Sequence, residues 1–357
     1  MIQYKLLVDW YVAGKSILEQ HINLPIICIG SCIKQSIKKY TIPNTQELID
    51  FPSDCVDTLT LYPLTFEEYL INTNPDLLEI IKDAYYKKEA LEDDLHERAK
   101  NVLLEYLKIG GFPKVINTYL SQGSYDANNL IKEYYNDYIR AILSQHISYP
   151  SCLKASTVFQ KVGKLLRSAT KNFKVQKIGK FKSHRDYADA YEALISSHFI
   201  HKSQSVKDEI TYPFTTKNSS IFRLYLTDVG LLQYQIKNDE TIRYRIEESD
   251  VIFCETMIVS EFVTRNIPLF FWNGIADNRV DFVVKSNNDL YGINISKYFY
   301  DYDSINNFKD ANEGATSIMF DHDYMSYDIG NRNLYVPYYE AFLVAEDLAK
   351  GRYVLDL

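Results

Sequence analysis

Two acids in the stretch from Glu255 to Lys297 fall where an α/β fold would bring them together, and no third acid follows at the position where one is needed. A helix carrying Glu255 and Glu261 comes first, then an apolar run Leu269–Trp272, and then a strand Arg279–Val284 carrying Asp281. The strand Tyr291–Ser296 follows and alternates in character. Side chains alternate between the two faces of a strand, so Ile293 and Ile295 share one face and Asn294 and Ser296 the other.

That order has a chemical meaning. Divalent-metal nucleases use a helix carboxylate, a strand Asp, and on the next strand an acid and a Lys two residues apart. The acid binds Mg²⁺ and the Lys helps position the attacking water. Here Asn294 and Ser296 stand at the acid and Lys positions. One strand carboxylate is too little charge to hold Mg²⁺ without substrate. Sliding the strand by one residue puts Lys297 at the lysine position and Ile295 at the acid position, and turns both isoleucines to the polar face. The acid is missing in either register.

The 357 residues are enough for two or three domains and a sizeable core. The longest apolar run, Leu24–Ile33, is broken by Gly30 and Ser31 and falls well short of a membrane span. Asp9 interrupts the apolar N-terminus, and no small-residue cleavage site follows it, so no signal peptide is predicted. The five cysteines are scattered and form no CxxC pair, which fits reduced thiols. A cytoplasmic protein with no membrane partner is the expectation. His198 and His201 lack the Cys or acid neighbours of a metal site.

Net charge is −8, unevenly spread. Ser151–Arg185 contains no Asp or Glu but ten basic residues: Lys154, Lys161, Lys164, Arg167, Lys171, Lys174, Lys177, Lys180, Lys182 and Arg185. An acidic chain thus carries one strongly basic module. A helix Ala155–Ala169, a short element Val175–Phe181, a helix Arg185–Ser197 and strands Phe199–Gln204 and Ile221–Thr227 give it the order of a winged helix. Such a module offers its basic face to DNA phosphates. Winged helices also dock proteins, and the Tyr, Ala and acidic residues of Arg185–Ser197 suit packing better than base readout. The candidate nucleic-acid contacts are Lys164, Arg167, Lys171, Lys174, Lys177, Lys180, Lys182 and Arg185.

Elsewhere, Met1–Ala13 reads as a helix and Leu24–Ser31 as a buried strand. Gly14-Lys15-Ser16 mimics the end of a phosphate-binding loop, but the loop's first Gly would fall at Asp9, whose charge repels phosphate. Val56–Leu61 reads as a strand. Thr65 and Glu68 have capping-box spacing. Three or four helices fill Pro75–Ile147, punctuated at Gly110-Gly111-Phe112-Pro113 and Ser121–Tyr125. Asp228 is placed to cap a short helix. A helix Tyr302–Ala311, a strand Thr316–Phe320 and a helix Val336–Leu348 close the chain.

Several of these pieces together resemble one family: IICIGS, LTLYPLTFEEYL, GGFPKVI, IFRLYLTDVGLL, CETMIVSEF, FFWN followed by RVDFVV, and VPYYEAFL. The family is the bacterial and archaeal AAA-type ATPases that end in a winged helix and a restriction-nuclease-like (PD-(D/E)xK-like) domain of unknown function. The resemblance implies an α/β protein with four parts. These are a truncated AAA-type core over 1–62, a helical lid over 63–150, a winged-helix module over 151–234 and a mixed α/β nuclease-like domain over 235–357. Family members begin with a phosphate loop and a Mg²⁺-binding acidic strand, which would lie before Met1. Ser31 is then a vestigial sensor position, and Glu255, Asp281, Asn294 and Ser296 vestigial nuclease positions. The resemblance therefore implies a non-catalytic remnant binding DNA or a partner protein, with no cofactor. The alternative is an ATP- and Mg²⁺-binding ATPase whose phosphate loop is encoded upstream or supplied by another chain.

Overall fold

The computed structural model describes residues 57–356 apart from 58, 146–147, 169, 180–182, 208–209, 217–219, 239–245, 275–277 and 297–300, with the backbone alone for 246–250. Ser31, the Gly14-Lys15-Ser16 turn and nearly all of the expected core over 1–62 lie outside those residues. Where residues of the expected strand Val56–Leu61 are described, at Asp57 and Leu59–Leu61, they form no strand. Leu59 and Leu61 are both strongly exposed, so neither packs against a sheet.

Five helices come next: α1 (Phe66–Thr73), α2 (Pro75–Lys87), α3 (Asp93–Ile109), α4 (Pro113–Gln122) and α5 (Ser124–Leu143). The Thr65 hydroxyl accepts from Glu68 N and the Glu68 carboxylate accepts from Thr65 N, the reciprocal cap that starts α1. Pro75 and Pro113 stand in the first turns of α2 and α4, where a missing N–H costs nothing. Gly110 and Gly111 make the sharp break between α3 and α4. Gly110 has a left-handed φ of 75°, and a Cβ on Gly111 would lie 2.0 Å from the Leu64 carbonyl oxygen.

The basic region departs from its expected outline. Ala155–Ala169 is not one helix but α6 (Tyr149–Phe159) and α7 (Val162–Leu166). Gly163 N donates to the Gln235 side chain at 2.6 Å, and a Cβ there would meet Gln235 at 2.9 Å, so the second piece is tipped onto another helix. A 3₁₀ turn Val175–Lys177 and a second, His184–Tyr187, lead into α8 (Ala188–Ser196). Strands β1 (Ile200–Ser205) and β2 (Phe222–Leu226) form an antiparallel hairpin, followed by α9 (Val229–Asn238).

The hairpin does not stand free. β1 pairs in parallel with β3 (Phe270–Asn273), which pairs with β4 (Arg279–Val280), so one sheet of order β2-β1-β3-β4 links the basic region to the C-terminal strands. Every residue of β2 is buried. Helix α10 (Ile246–Thr264) precedes β3.

The expected strand Arg279–Val284 is in fact two. β4 ends at Val280 and β5 (Phe282–Ser286) begins a second sheet, β5-β6-β7-β9-β8, with β6 (Asp289–Ile295), β7 (Thr316–Asp321), β8 (Ser326–Asp328) and β9 (Asn333–Pro337). Asp281 is the corner between the sheets, because its N–H goes to the Asn294 side chain and not into a ladder. The expected helix Val336–Leu348 starts later, as α12 (Ala341–Lys350). Val336 pairs in parallel with Phe320, and Pro337, which a helix interior excludes, ends β9.

Alternation organises the second sheet. Phe282, Val284, Ile293, Ile318 and Phe320 face one apolar cluster that runs from Phe66 to Leu355. Val283 and Met319 face a smaller one with Phe308 of α11 (Tyr302–Ala311). Gly292 lets Phe308 lie on the strand, since a Cβ would meet its ring at 2.6 Å.

Candidate functional site

The sheet corner gathers charges from four distant segments. On β2, Arg223 and Tyr225 share a face by alternation. Helix α10 brings Glu255 against them, with the Tyr225 hydroxyl donating to Glu255 Oε1 at 2.7 Å and Arg223 Nη1 at 3.8 Å from the same oxygen. Arg223 Nη1 donates to Asp281 Oδ1 at 3.0 Å. The fourth member is Lys171, from the segment after α7. Its Nζ donates to Glu255 Oε2 at 2.6 Å and to Asp281 Oδ1 at 3.0 Å.

Two cations and two anions therefore close on each other, with little access to water. The Arg223 and Glu255 side chains are fully buried, and those of Lys171 and Asp281 are 19% and 14% exposed. Burial alone would raise the Asp281 carboxyl, but the Lys171 ammonium and the Arg223 guanidinium outweigh it and hold the group at about 2. Burial likewise opposes the Lys171 charge, and the Asp281 and Glu255 carboxylates override it and raise the ammonium above its ordinary value. The Arg223 guanidinium lies 4.2 Å from the Phe271 ring centre.

Asn294 supplies no charge. Its Oδ1 accepts from Asp281 N at 3.2 Å, while Ile295 N donates to Asp281 Oδ2 at 3.2 Å. Asn294 thus lies beside Asp281, and Ile293 and Ile295 turn to the core. Ser296 N bonds the Phe320 carbonyl and its own carbonyl accepts from Tyr338. Lys297 lies outside the described residues. The Lys171 ammonium lies between Glu255 and Asp281, within hydrogen-bond distance of both acids. Among the described residues no group of three or more His, Cys, Asp or Glu side chains is placed to hold a metal.

The basic face is smaller than the sequence suggests. Lys171 is turned inward onto the acids. Lys180 and Lys182 lie outside the described residues. Lys174, Lys177 and Arg185 are exposed, and Lys164 and Arg167 are half-buried. Burial, and then the charges of Lys174 and Lys164, push the Lys177 ammonium down. Helix α8 exposes Asp189 and Glu192, with the latter 3.6 Å from Lys202, and is poorly suited to enter a DNA groove.

Other buried acids act as local clamps. Six residues along a helix is about a third of a turn out of phase, so Glu261 points away from Glu255. Its carboxylate accepts from Phe66 N at 2.9 Å and from Arg265, closing the start of α1 onto α10. Asp228 accepts from Leu231 N at 3.0 Å and from Gly111 N at 2.7 Å, capping α9 and pinning the α3–α4 break. The neighbouring His198 and His201 are no metal pair: the His198 ring meets the Tyr62 hydroxyl, and burial pushes His201 down to about 4.

Sequence reading did not include Arg223 and Tyr225 in the centre and placed Lys171 on the wrong surface. A charge inside the apolar run IFRLYL was the available signal for Arg223, because an arginine in a fully buried strand needs a partner acid. Lys171 gave no such signal. It lies in an irregular segment, 84 residues from one acid partner and 110 from the other.

The fold and the centre define a mixed α/β protein of twelve helices and two mixed sheets among the described residues, joined around a buried four-charge cluster. Residues 100–241 match the model of a family described as a domain of unknown function (DUF8612). That stretch, less than half of the chain, holds Lys171, Arg223 and Tyr225 but neither acid of the cluster. No curated protein and no solved structure matches the chain. Among the described residues no helix is long and apolar enough to cross a membrane.

Proposed function

We propose that this chain is a non-catalytic DNA-binding protein, with the DNA backbone held on the basic face around Lys164, Lys174 and Lys177 and the nuclease-like centre serving structure. One observation carries the non-catalytic half of the reading: the Lys171 ammonium bridges Glu255 and Asp281. Asn294, lacking charge, adds nothing that would draw a metal in. For the binding half, the support is a stretch, Ser151–Arg185, without acids, in which Lys174 and Lys177 are exposed and the charges of Lys174 and Lys164 both act on Lys177. Like charges held together are stabilised by a polyanion, and condensed counterions are released when phosphates replace them. The acids exposed on α8 argue for backbone contact without base readout.

The test is fluorescence anisotropy with a labelled duplex of arbitrary sequence across a salt series. Binding that weakens with salt and changes little with sequence is the expected result. Replacing Lys164, Lys174 and Lys177 by Ala should lower the log–log salt slope by up to about 0.9 per lost phosphate contact. Absence of binding, or binding without a salt slope, overturns the DNA reading and leaves the face to a partner protein.

A further inference from the structure

The segment that carries the exposed lysines is the same one that fills the acid pair. Thr170–Lys177 runs over the outer edge of β2, and its residues alternate. Lys171, Phe173 and Val175 point inward, whereas Lys174, Gln176 and Lys177 are exposed. Phe173 N donates to the Phe222 carbonyl at 2.8 Å, so the segment touches the sheet edge as a short extra strand would. The Phe173 ring stacks on Phe222 at 4.9 Å, and Val175 is fully buried. Lys171 itself has a left-handed φ of 54°, in a turn where its N–H donates to the Ser168 carbonyl at 2.8 Å.

From this geometry we infer a second role for Glu255 and Asp281: they are positioning residues for DNA contact, anchoring Lys171 so that Lys174 and Lys177 are held outward as a pair. The inference rests on the DNA reading above and adds to it. The acids touch no phosphate. They act through Lys171, three residues before the first exposed lysine, and Phe173 and Val175 fix the remainder of the segment. A charged centre that a nuclease would use for a cation here holds an internal one, and the loop on which that cation sits presents the binding surface. An anchored pair meets phosphate without first losing the conformational freedom of an irregular segment, whereas a loose one must lose it on binding.

The deciding variant is the double substitution Lys171→Met/Glu255→Gln in the full chain. It removes one positive and one negative charge, leaves net charge unchanged, and keeps Asp281 paired with Arg223. Every exposed lysine remains. Duplex affinity is measured by anisotropy across salt, and amide hydrogen exchange is followed over 170–177. The expected result is at least a fivefold loss of affinity with the salt slope unchanged, since the same lysines meet phosphate once ordered, and faster exchange confined to that segment. Lys171→Arg, which keeps the cation, should retain the wild-type affinity.

If the double variant folds and binds with wild-type affinity, the anchoring role is wrong although the DNA reading stands. If wild-type protein itself shows no salt-dependent binding, the DNA reading fails, and with it the positioning role. Exchange over 170–177 then still reports on the anchor itself: unchanged protection in the double variant shows that the acids do not hold the segment at all.

Discussion

Replacing Lys171 by Met should destabilise the protein by about 3 kcal/mol. The methionine keeps most of the aliphatic stem, so little cavity is created. What disappears is the ammonium 2.6 Å from Glu255 and 3.0 Å from Asp281. Asp281 keeps Arg223 at 3.0 Å. Glu255 is left fully buried with the Tyr225 hydroxyl and an Arg223 nitrogen 3.8 Å away. Removing one partner of a buried pair costs about 3–5 kcal/mol, chiefly from the charge left behind. The 19% exposure of Lys171 and the remaining guanidinium place this case at the low end. Urea denaturation at pH 7 measures the loss. Glu255→Gln in the same chain should recover part of it, since the stranded charge is then gone. A cost within about 0.5 kcal/mol of zero, the range of ordinary surface substitutions, would refute the buried-cluster account.

Three further outcomes follow from the same geometry. Tyr225→Phe removes a hydrogen bond to a buried carboxylate and should cost about 1.5–3 kcal/mol in the same urea assay. Stability should fall as pH drops from about 4 toward 2: the Asp281 carboxyl is held at about 2, below its unfolded value, so its contribution is present above the unfolded pKa and lost on protonation. The contribution amounts to about 2 kcal/mol, and Asp281→Asn should flatten that part of the pH profile. Gly111→Ala would place a Cβ 2.0 Å from the Leu64 carbonyl, backbone against backbone, and should lower the thermal midpoint by more than Gly330→Ala, where the nearest atom, a carboxylate oxygen of Asp328, lies at 3.4 Å.

Much of this fold was legible wherever a local rule decides. The Thr65–Glu68 box, the prolines at two helix starts and the glycine pair at the α3–α4 break each act within a few residues, and the helical block follows from them. Alternation placed Ile293, Asn294 and Ile295 on their proper faces for the same reason. The misses have a common cause. Asp281 divides a strand because its N–H finds Asn294, a contact made across a hairpin. Gly163 shortens a helix because α9 lies against it. Val336 pairs with Phe320 in a parallel ladder, and apolar spacing alone reads the same residues as a helix. Each is a tertiary contact overriding a local pattern. At the centre, the two acids could be picked out because their spacing has chemical meaning. Their cationic partners could not, because nothing in an irregular segment announces which lysine turns inward.

The central claim is that internal cations stand where a nuclease would bind metal. Its most direct test is to incubate the purified chain with supercoiled plasmid and Mg²⁺ or Mn²⁺, beside the Asp281→Ala variant, and follow the DNA on a gel. The account predicts intact plasmid with either ion and with either protein. Metal-dependent cutting by the wild-type chain that Asp281→Ala abolishes would contradict it.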